Sequence, residues 1–480
     1  MKRSHILLLV VVCAACERPT QEKQAASDAA AALGGAERIV AARTIVIEGE
    51  GTQYNLGQDV VPGASGQTFT VTGYKRSMDL QAGRARTELT RMPNFAYFLG
   101  RTAQRQIQGI DGTIGYNISP TGAASRIAEA ATADRRAELL RHPITAVRAA
   151  LDPASRLTNL RMQNGQTSVD VAVADGRAFT LAIDSATKLP ISVSTAANHG
   201  NLGDVRVSTT YGEYKRVGDL QLPTRLTTKT DDFTTMEVRV TNQMVDGDSG
   251  DLAAPSAAAS AGAPVAPPPT VTVAEVSPGI WQLAGGSHRS VLVEFADRLV
   301  LIEAPQNDAR TLAVIARARE LRPGKPLTHV VNSHHHFDHS GGIRAAVSEG
   351  LRVITHQGNA AFFDEILKRP HTLVPDALSK NPKPSGVIEA VDGEKIITDN
   401  AMTVNLYEVP GEHSNTMLMA YFPRERLLVE GDLYEPDEAL HMFAARFLEE
   451  LKKRGLQVDR IVPLHSDVVP YARLPVDAAK

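Results

Sequence analysis

His334-His335-His336-Phe337-Asp338-His339 is the stretch on which the reading of this chain turns. It lies between an apolar run, Leu327 to Val331, and the pair Gly341-Gly342. A short apolar run with polar residues and glycine after it predicts a buried strand, so the histidines stand at a strand end. In extended backbone alternate side chains point the same way, so His334 and His336 can share one metal ion. A turn just after them can swing Asp338 and His339 toward a second. His335 then points away from both.

Three further positions belong with this motif. His413 sits in Gly411-Glu412-His413-Ser414, after a predicted strand ending at Pro410. Asp432 follows Glu430-Gly431, and His465 follows Ile461-Val462-Pro463-Leu464. Each lies just beyond an apolar run, and strand ends are stiff enough to hold ligands accurately. The set divides into His334, His336 and His413 for one ion, and Asp338, His339 and His465 for another, with Asp432 free to bridge. Three protein ligands per ion leave an open position, as catalytic zinc requires. Nitrogen and oxygen donors fit zinc and also accept iron, manganese or cobalt. His288, in Ser287-His288-Arg289-Ser290, is read as a surface-loop residue. His329, His356, His371 and His441 are read as ordinary.

The 480 residues predict two or three domains. With 43% hydrophobic and 22% charged residues the chain is globular, and a net charge of -3 gives nucleic acid no reason to bind. No apolar run approaches the about 20 residues of a spanning helix. Lys2 and Arg3, the apolar Ile6 to Val12, and Ala14-Ala15 form a signal peptide over 1–15. The only cysteines, Cys13 and Cys16, belong to this segment, so the mature body has no disulfide and no thiolate for a metal. Small residues before Cys16 resemble a bacterial lipoprotein signal, from which Cys13 departs. The resemblance implies export to the periplasm, with Cys16 as a lipid anchor to the cell envelope.

Residues 16–32, polar and alanine-rich, read as a tether. Over 33–245 the pattern is two-residue alternation. In the clearest hairpin, Val169, Val171 and Val173 face Phe179, Leu181 and Ile183 across Asp175-Gly176. Ala123 to Asp152 is helical in composition and interrupted at Pro143. Leu33-Gly34-Gly35, Ile183-Asp184 before Thr187-Lys188-Leu189-Pro190, and Tyr211 followed by Leu222-Pro223-Thr224 resemble outer-membrane lipoprotein carriers. That resemblance implies a half-barrel whose concavity can hold acyl chains; a structural or substrate-presenting domain is the other reading. Residues 246–270, rich in Ala, Ser and Pro, form a linker. From 271 to 480 strand-rich halves with interspersed helices predict sheet packed on sheet with helices outside, including a closing helix over Glu438 to Arg454.

With its ligand positions in order, 271–480 resembles the metallo-β-lactamase fold, an αββα sandwich with a dinuclear site. The fold class is then α+β, a mostly antiparallel β domain with a helical insertion preceding the sandwich. The sequence departs from the family pattern at Glu303, where many members have Asp, and at Ser466, where many have Gly. The resemblance implies a hydrolase with two Zn2+ ions and a bridging hydroxide. Asp338 would orient the nucleophile and accept its proton. The bond would be an ester, lactone, thioester or amide of a small-molecule substrate. Phosphoester, sulfoester and β-lactam hydrolysis share the fold, as do mononuclear iron dioxygenases; a lipid- or partner-binding envelope lipoprotein is the non-enzymatic reading. β-Lactamases with a cysteine ligand are excluded, and His336 speaks against flavodiiron oxidoreductases, which have Glu there. Tyr434 is either a carbonyl-binding residue or an ordinary buried tyrosine. The sequence does not fix the oligomeric state.

Overall fold

The computed structural model describes residues 19–64, 66–96, 100–384 and 386–480. The expected signal peptide, with Cys13 and Cys16, lies outside them. The alternation before Val245 forms a 13-stranded sheet among the described residues, antiparallel throughout. Strands follow one another in chain order toward both edges, and the first, Thr44–Asn55, pairs with the last, Phe233–Val245. The hairpin has the predicted register, Val169 opposite Leu181 and Val171 opposite Phe179, all four buried. Its turn uses Gly176 at φ +88°, the conformation a tight hairpin turn demands.

The helical insertion consists of Glu129–Glu138 and Pro143–Leu151. Pro143 does not break the second helix because it sits in the first turn, where its missing N–H has no intrahelical partner to lose. Ile144, Ala146, Val147 and Ala150 of this helix pack into the core over the sheet. A cavity of about 390 Å³ lies against the sheet, lined by apolar residues, by threonines and glutamines, and by Arg76, Glu138, Arg141 and His142.

Two expectations need correction. The stretch read as a tether is a helix over Gln21–Leu33, capped by Thr20. Ala26, Ala29, Ala30 and Leu33, spaced as one helical face, are buried in the same core. Alanine contributes little hydrophobic signal, yet it is the best helix former and allows close packing. The linker, in turn, is extended only in part. Leu252 and Ala258 are buried. Ala254 N donates to Asp111 Oδ2 at 3.0 Å, and Arg126 Nη1 to the Ala261 carbonyl at 2.9 Å. Residues 262–270 are almost wholly exposed.

Beyond the linker the described residues form a seven-stranded and a six-stranded sheet that lie face to face. Val291, Val293, Val300 and Ile302 of the first share a buried cluster with Val404, Leu406, Leu418 and Val429 of the second. Asp308–Leu321, Ile343–Ser348 and Gln357–Lys368 cover the outer face of one sheet through Val314, Ile315, Val347 and Phe363. Ala444–Lys453 and Arg473–Asp477 cover the other through Phe447, Leu448, Leu451 and Leu474. These are the four layers of an αββα sandwich. The closing helix begins at Ala444 rather than Glu438; in the turns before it His441 Nδ1 lies 3.1 Å from the Glu435 carbonyl. Leu299–Ile302 runs parallel to Leu327–Val331, and Leu427–Glu430 to Arg460–Pro463. The C-terminal end of each strand therefore lies beside that of its partner.

The two halves are joined by more than the linker. Leu202 and Val205 of the first share a buried cluster with Ile366 of the second, with Leu56, Phe337 and Phe362 packed against it. Asp204 accepts from Thr372 N at 2.9 Å and Leu373 N at 3.0 Å, and Arg369 pairs with Asp231. Leu33→Ala tests the first correction: emptying a fully buried leucine site costs about 2–5 kcal/mol in chemical denaturation, whereas a tether residue would leave the midpoint unchanged.

Candidate metal centre

The ligand-type residues stand where strands run out. His334 follows Leu327–Val331, Asp432 follows Leu427–Glu430, and His465 follows Arg460–Pro463. His413 lies in the loop after Thr403–Glu408. A single helical turn, Phe337–Ser340, carries Asp338 and His339, with Ser340 N donating to the His336 carbonyl at 2.9 Å. The chain just after this turn sits tightly on its neighbours: a Cβ on Gly342 would come within 1.8 Å of Thr311 Oγ1.

The structure brings all seven sequence-predicted residues together, in two groups. His334, His336, His413 and Asp432 form one, with donor atoms within 4.8 Å of one another. Asp338, His339 and His465 form the other, and His288 joins them. Asp432 faces both. Its Oδ2 is 2.9 Å from His413 Nε2 and 3.8 Å from His334 Nε2, while its Oδ1 is 2.9 Å from His339 Nε2 and 3.0 Å from His465 Nε2. Within the groups, His334 and His413 bring Nε2 atoms to 3.3 Å, and His339 and His465 to 3.0 Å.

The outer ring nitrogens fix the tautomers. Ser333 Oγ donates to Glu303 Oε2 at 2.5 Å, so it accepts from His334 Nδ1 at 3.0 Å and leaves Nε2 with its lone pair inward. His339 Nδ1 donates to the same Glu303 oxygen at 2.9 Å, which again frees Nε2. His336 is reversed. Its Nε2 donates to the Asp59 carbonyl at 2.9 Å, leaving a buried Nδ1 without a hydrogen-bond partner among the described residues. Imidazoles that ligate metals are oriented in this way, by the nitrogen that does not ligate. His335 turns away, with Nδ1 3.2 Å from Thr416 Oγ1.

Electrostatics favours a cation here. Burial, reinforced by neighbouring imidazoles, holds His334 and His336 well below the ordinary histidine range, so they are neutral and able to ligate. Burial opposes charge on His339 too, but Asp432, Asp338 and Glu303 outweigh it and raise His339 well above that range. Burial would push Asp432 up, yet His339, His465 and His413 hold it well below the carboxylate range. In the protein alone the charge of Asp432 is met by the imidazoles around it, His339 first. A divalent ion at each group would supply that charge directly, and the nitrogen and oxygen donors suit zinc.

Three residues complete the site without having been singled out as ligands. His288, read as a surface-loop residue, is buried, with Nε2 3.3 Å from Asp338 Oδ2. Ser287 Oγ and Gln306 Nε2 lie 2.9 and 3.2 Å from its Nδ1. Its position at the start of a strand beside a glycine turn gave it the look of a loop. Glu303, noted only as a departure from a family pattern, is fully buried and orients two histidines. Glu435 forms a third group with Asp432 and His465; burial first, then the charge of Asp432, pushes it up to about 8. Tyr434 is the ordinary buried residue of the two readings, its Oη donating to Asp477 Oδ2 at 2.6 Å. Glu303 and Asp432 hold φ of +78° and +62°, a conformation that costs other than glycine about 1–3 kcal/mol and gathers at functional sites.

A cavity of about 260 Å³ opens over the two groups. The second half contributes Asp338, His413, Asp432, Glu435, Glu438, Phe443 and His465 to its lining, and the first half Asn55, Gln58, Gln67, Phe95 and Ala96.

Residues 283–465 match the family model of the metallo-beta-lactamase superfamily. No curated protein matches the chain. Among solved structures, a metallo-beta-lactamase from Pontibacter korlensis is similar at 17% identity and a TM-score of 0.35, over 44% of this chain and 98% of that one. A metallo-beta-lactamase from Hirschia baltica is similar at 17% identity and a TM-score of 0.34, over 44% of this chain and 96% of that one.

Stripping the purified protein with a chelator should lower its Tm, and adding Zn2+ back should restore it. At a free ion concentration of 1,000 times Kd, one site is expected to contribute about 4 kcal/mol. An unchanged melting curve would show that the two groups hold no metal.

Proposed function

With a metallo-beta-lactamase-superfamily domain over residues 283–465, we propose that this protein is a metal-dependent hydrolase holding two Zn2+ ions. On this reading it cleaves an ester-, lactone-, thioester- or amide-type bond in a small molecule. The observation that carries the reading is Asp432, a buried carboxylate that offers one oxygen to each histidine group. A single ion would engage one oxygen of that carboxylate, whereas two ions, one at each group, would engage both.

Bound there, the ions supply a water acidified toward neutrality and Lewis-acid polarisation of the scissile bond. The protein's own part is positional. Asp338 is about one-third exposed and lines the cavity, so its carboxylate can orient the attacking water and accept its proton. His288 holds one oxygen of that carboxylate: with Gln306 donating to Nδ1, Nε2–H donates to Asp338 Oδ2. Glu303 keeps His334 and His339 turned inward. Phe95, Ala96 and Phe443 offer an apolar surface to the substrate body.

The cavity lining favours neutral acyl substrates. Among its described residues none is Lys or Arg, while Glu435 and Glu438 are acidic. A phosphodiester or sulfate ester keeps a charge that the protein lining, as distinct from bound ions, does nothing to meet. Lys2, Arg3, the apolar run behind them and Cys16 support export and anchoring in the cell envelope as part of the same proposal.

Metal analysis of the purified protein, coupled to a panel of lactones, thioesters, carboxylic esters, β-lactams, phosphodiesters and sulfate esters, tests this reading. Two ions per chain and turnover of a neutral acyl compound are expected. His334→Ala and Asp432→Ala should each lower kcat/KM by more than the about 10–100-fold that an outer-shell partner costs. Fewer than one ion per chain, or turnover that survives both substitutions, would refute it.

A further inference from the structure

The loop between strands Thr44–Asn55 and Gln67–Asp79 belongs to the first sheet by sequence, but residues 57–60 of it bond to the candidate metal centre. The Gly57 carbonyl accepts from Phe337 N at 3.1 Å, and the Val60 carbonyl from Asn415 N at 2.8 Å. Between them the Asp59 carbonyl accepts from His336 Nε2 at 2.9 Å, and Gln58 Nε2 donates to Asp338 Oδ1 at 2.8 Å. Four consecutive residues thus bind the motif and the loop after His413, two of them directly to ligand side chains. The approach is close: Gly57 holds φ +81°, and a Cβ there would come within 2.1 Å of the Phe337 ring. Asn201 of the first half adds a bond from Nδ2 to the Phe337 carbonyl at 3.2 Å.

We propose that residues 57–60 of the first domain are a working part of the metal centre, with the Asp59 carbonyl setting the ring of His336 and Gln58 acting as a positioning residue for Asp338. The inference rests on the reading of the two groups as metal sites. A carbonyl can only accept, so the bond from His336 Nε2 compels the tautomer whose Nδ1 lone pair faces the first group. Without it, both the ring's orientation and its tautomer would be free to change. Gln58 does the corresponding service for the second group. With Gln58 on Oδ1 and His288 on Oδ2, the Asp338 carboxylate is held at both oxygens. Partners of this kind are worth about 10–100-fold in metal affinity. The first domain therefore helps set how tightly the second holds its ions.

The test uses the full chain, stripped of metal and titrated with Zn2+ against a chromophoric chelator, with Co2+ spectra as a second readout of coordination. Gln58→Leu should weaken one of the two ions by about 10-fold or more and leave the other unchanged. Gly57→Val, which forces the loop off the Phe337 ring, should weaken the ion bound by His336 by about 10–100-fold. Asp231→Asn removes the partner of Arg369 at the same domain interface but away from the ligands, and should leave both affinities unchanged. Wild-type affinities and Co2+ spectra in both loop variants would overturn the inference. Should Gly57→Val fail to fold, the half-buried Gln58 position decides alone. A wild-type protein that binds two ions yet hydrolyses nothing would overturn the hydrolase reading only, and the affinities would still judge the loop.

Discussion

An ionised carboxylate withdrawn from water is costly unless positive charge or hydrogen bonds meet it. Asp432 is 4% exposed, and every imidazole near its two oxygens is a candidate ligand. The rest of the site can be understood as the means of keeping that group where it is. Two sheets bring strand ends to the rim, a left-handed residue turns the carboxylate inward, and Glu303 aims two of the surrounding rings. Removing one partner would leave buried charge unbalanced, which explains why the groups are packed so closely and so completely.

Much of this candidate centre was legible in the chain because its ligand-type residues are local signals. A histidine or aspartate just past an apolar run can be found by eye, and seven such positions recur in an ordered pattern. What could not be read are the residues that act on the candidate ligands from elsewhere. Glu303 lies 36 residues from His339, and Gln58 lies 280 from Asp338. No periodicity or spacing connects such pairs; only the folded sheets do. His288 was misjudged for a related reason, since a strand start beside a glycine turn looks like an exposed loop until a second strand covers it.

The first domain was harder to read for a different physical reason. Its alternation, its Asp175-Gly176 turn and its helical insertion follow from backbone preferences that act over a few residues. The helix over Gln21–Leu33 does not announce itself in that way, because a face of alanines has almost no hydrophobic contrast with its surroundings. It becomes a core element only when Pro143–Leu151 and the sheet offer a surface close enough for small side chains to fill. Alanine-rich composition is therefore ambiguous between flexible spacer and tightly packed helix, and burial alone resolves it.

The strand Thr44–Asn55 has an unusual reach. It is twelve residues long and pairs on both sides, beginning opposite Val245 where the linker departs and ending at Asn55 in the cavity wall. At about 3.3 Å per residue, a slip of one position along its neighbours would carry its far end by that distance and turn each side chain to the opposite face. The irregularities in its pairing near Gly49 lock it against such a slip. The ladder consequently serves as a gauge rod between two domains: the registration of amides beside the linker sets where a carbonyl arrives against an imidazole 277 residues away in the chain.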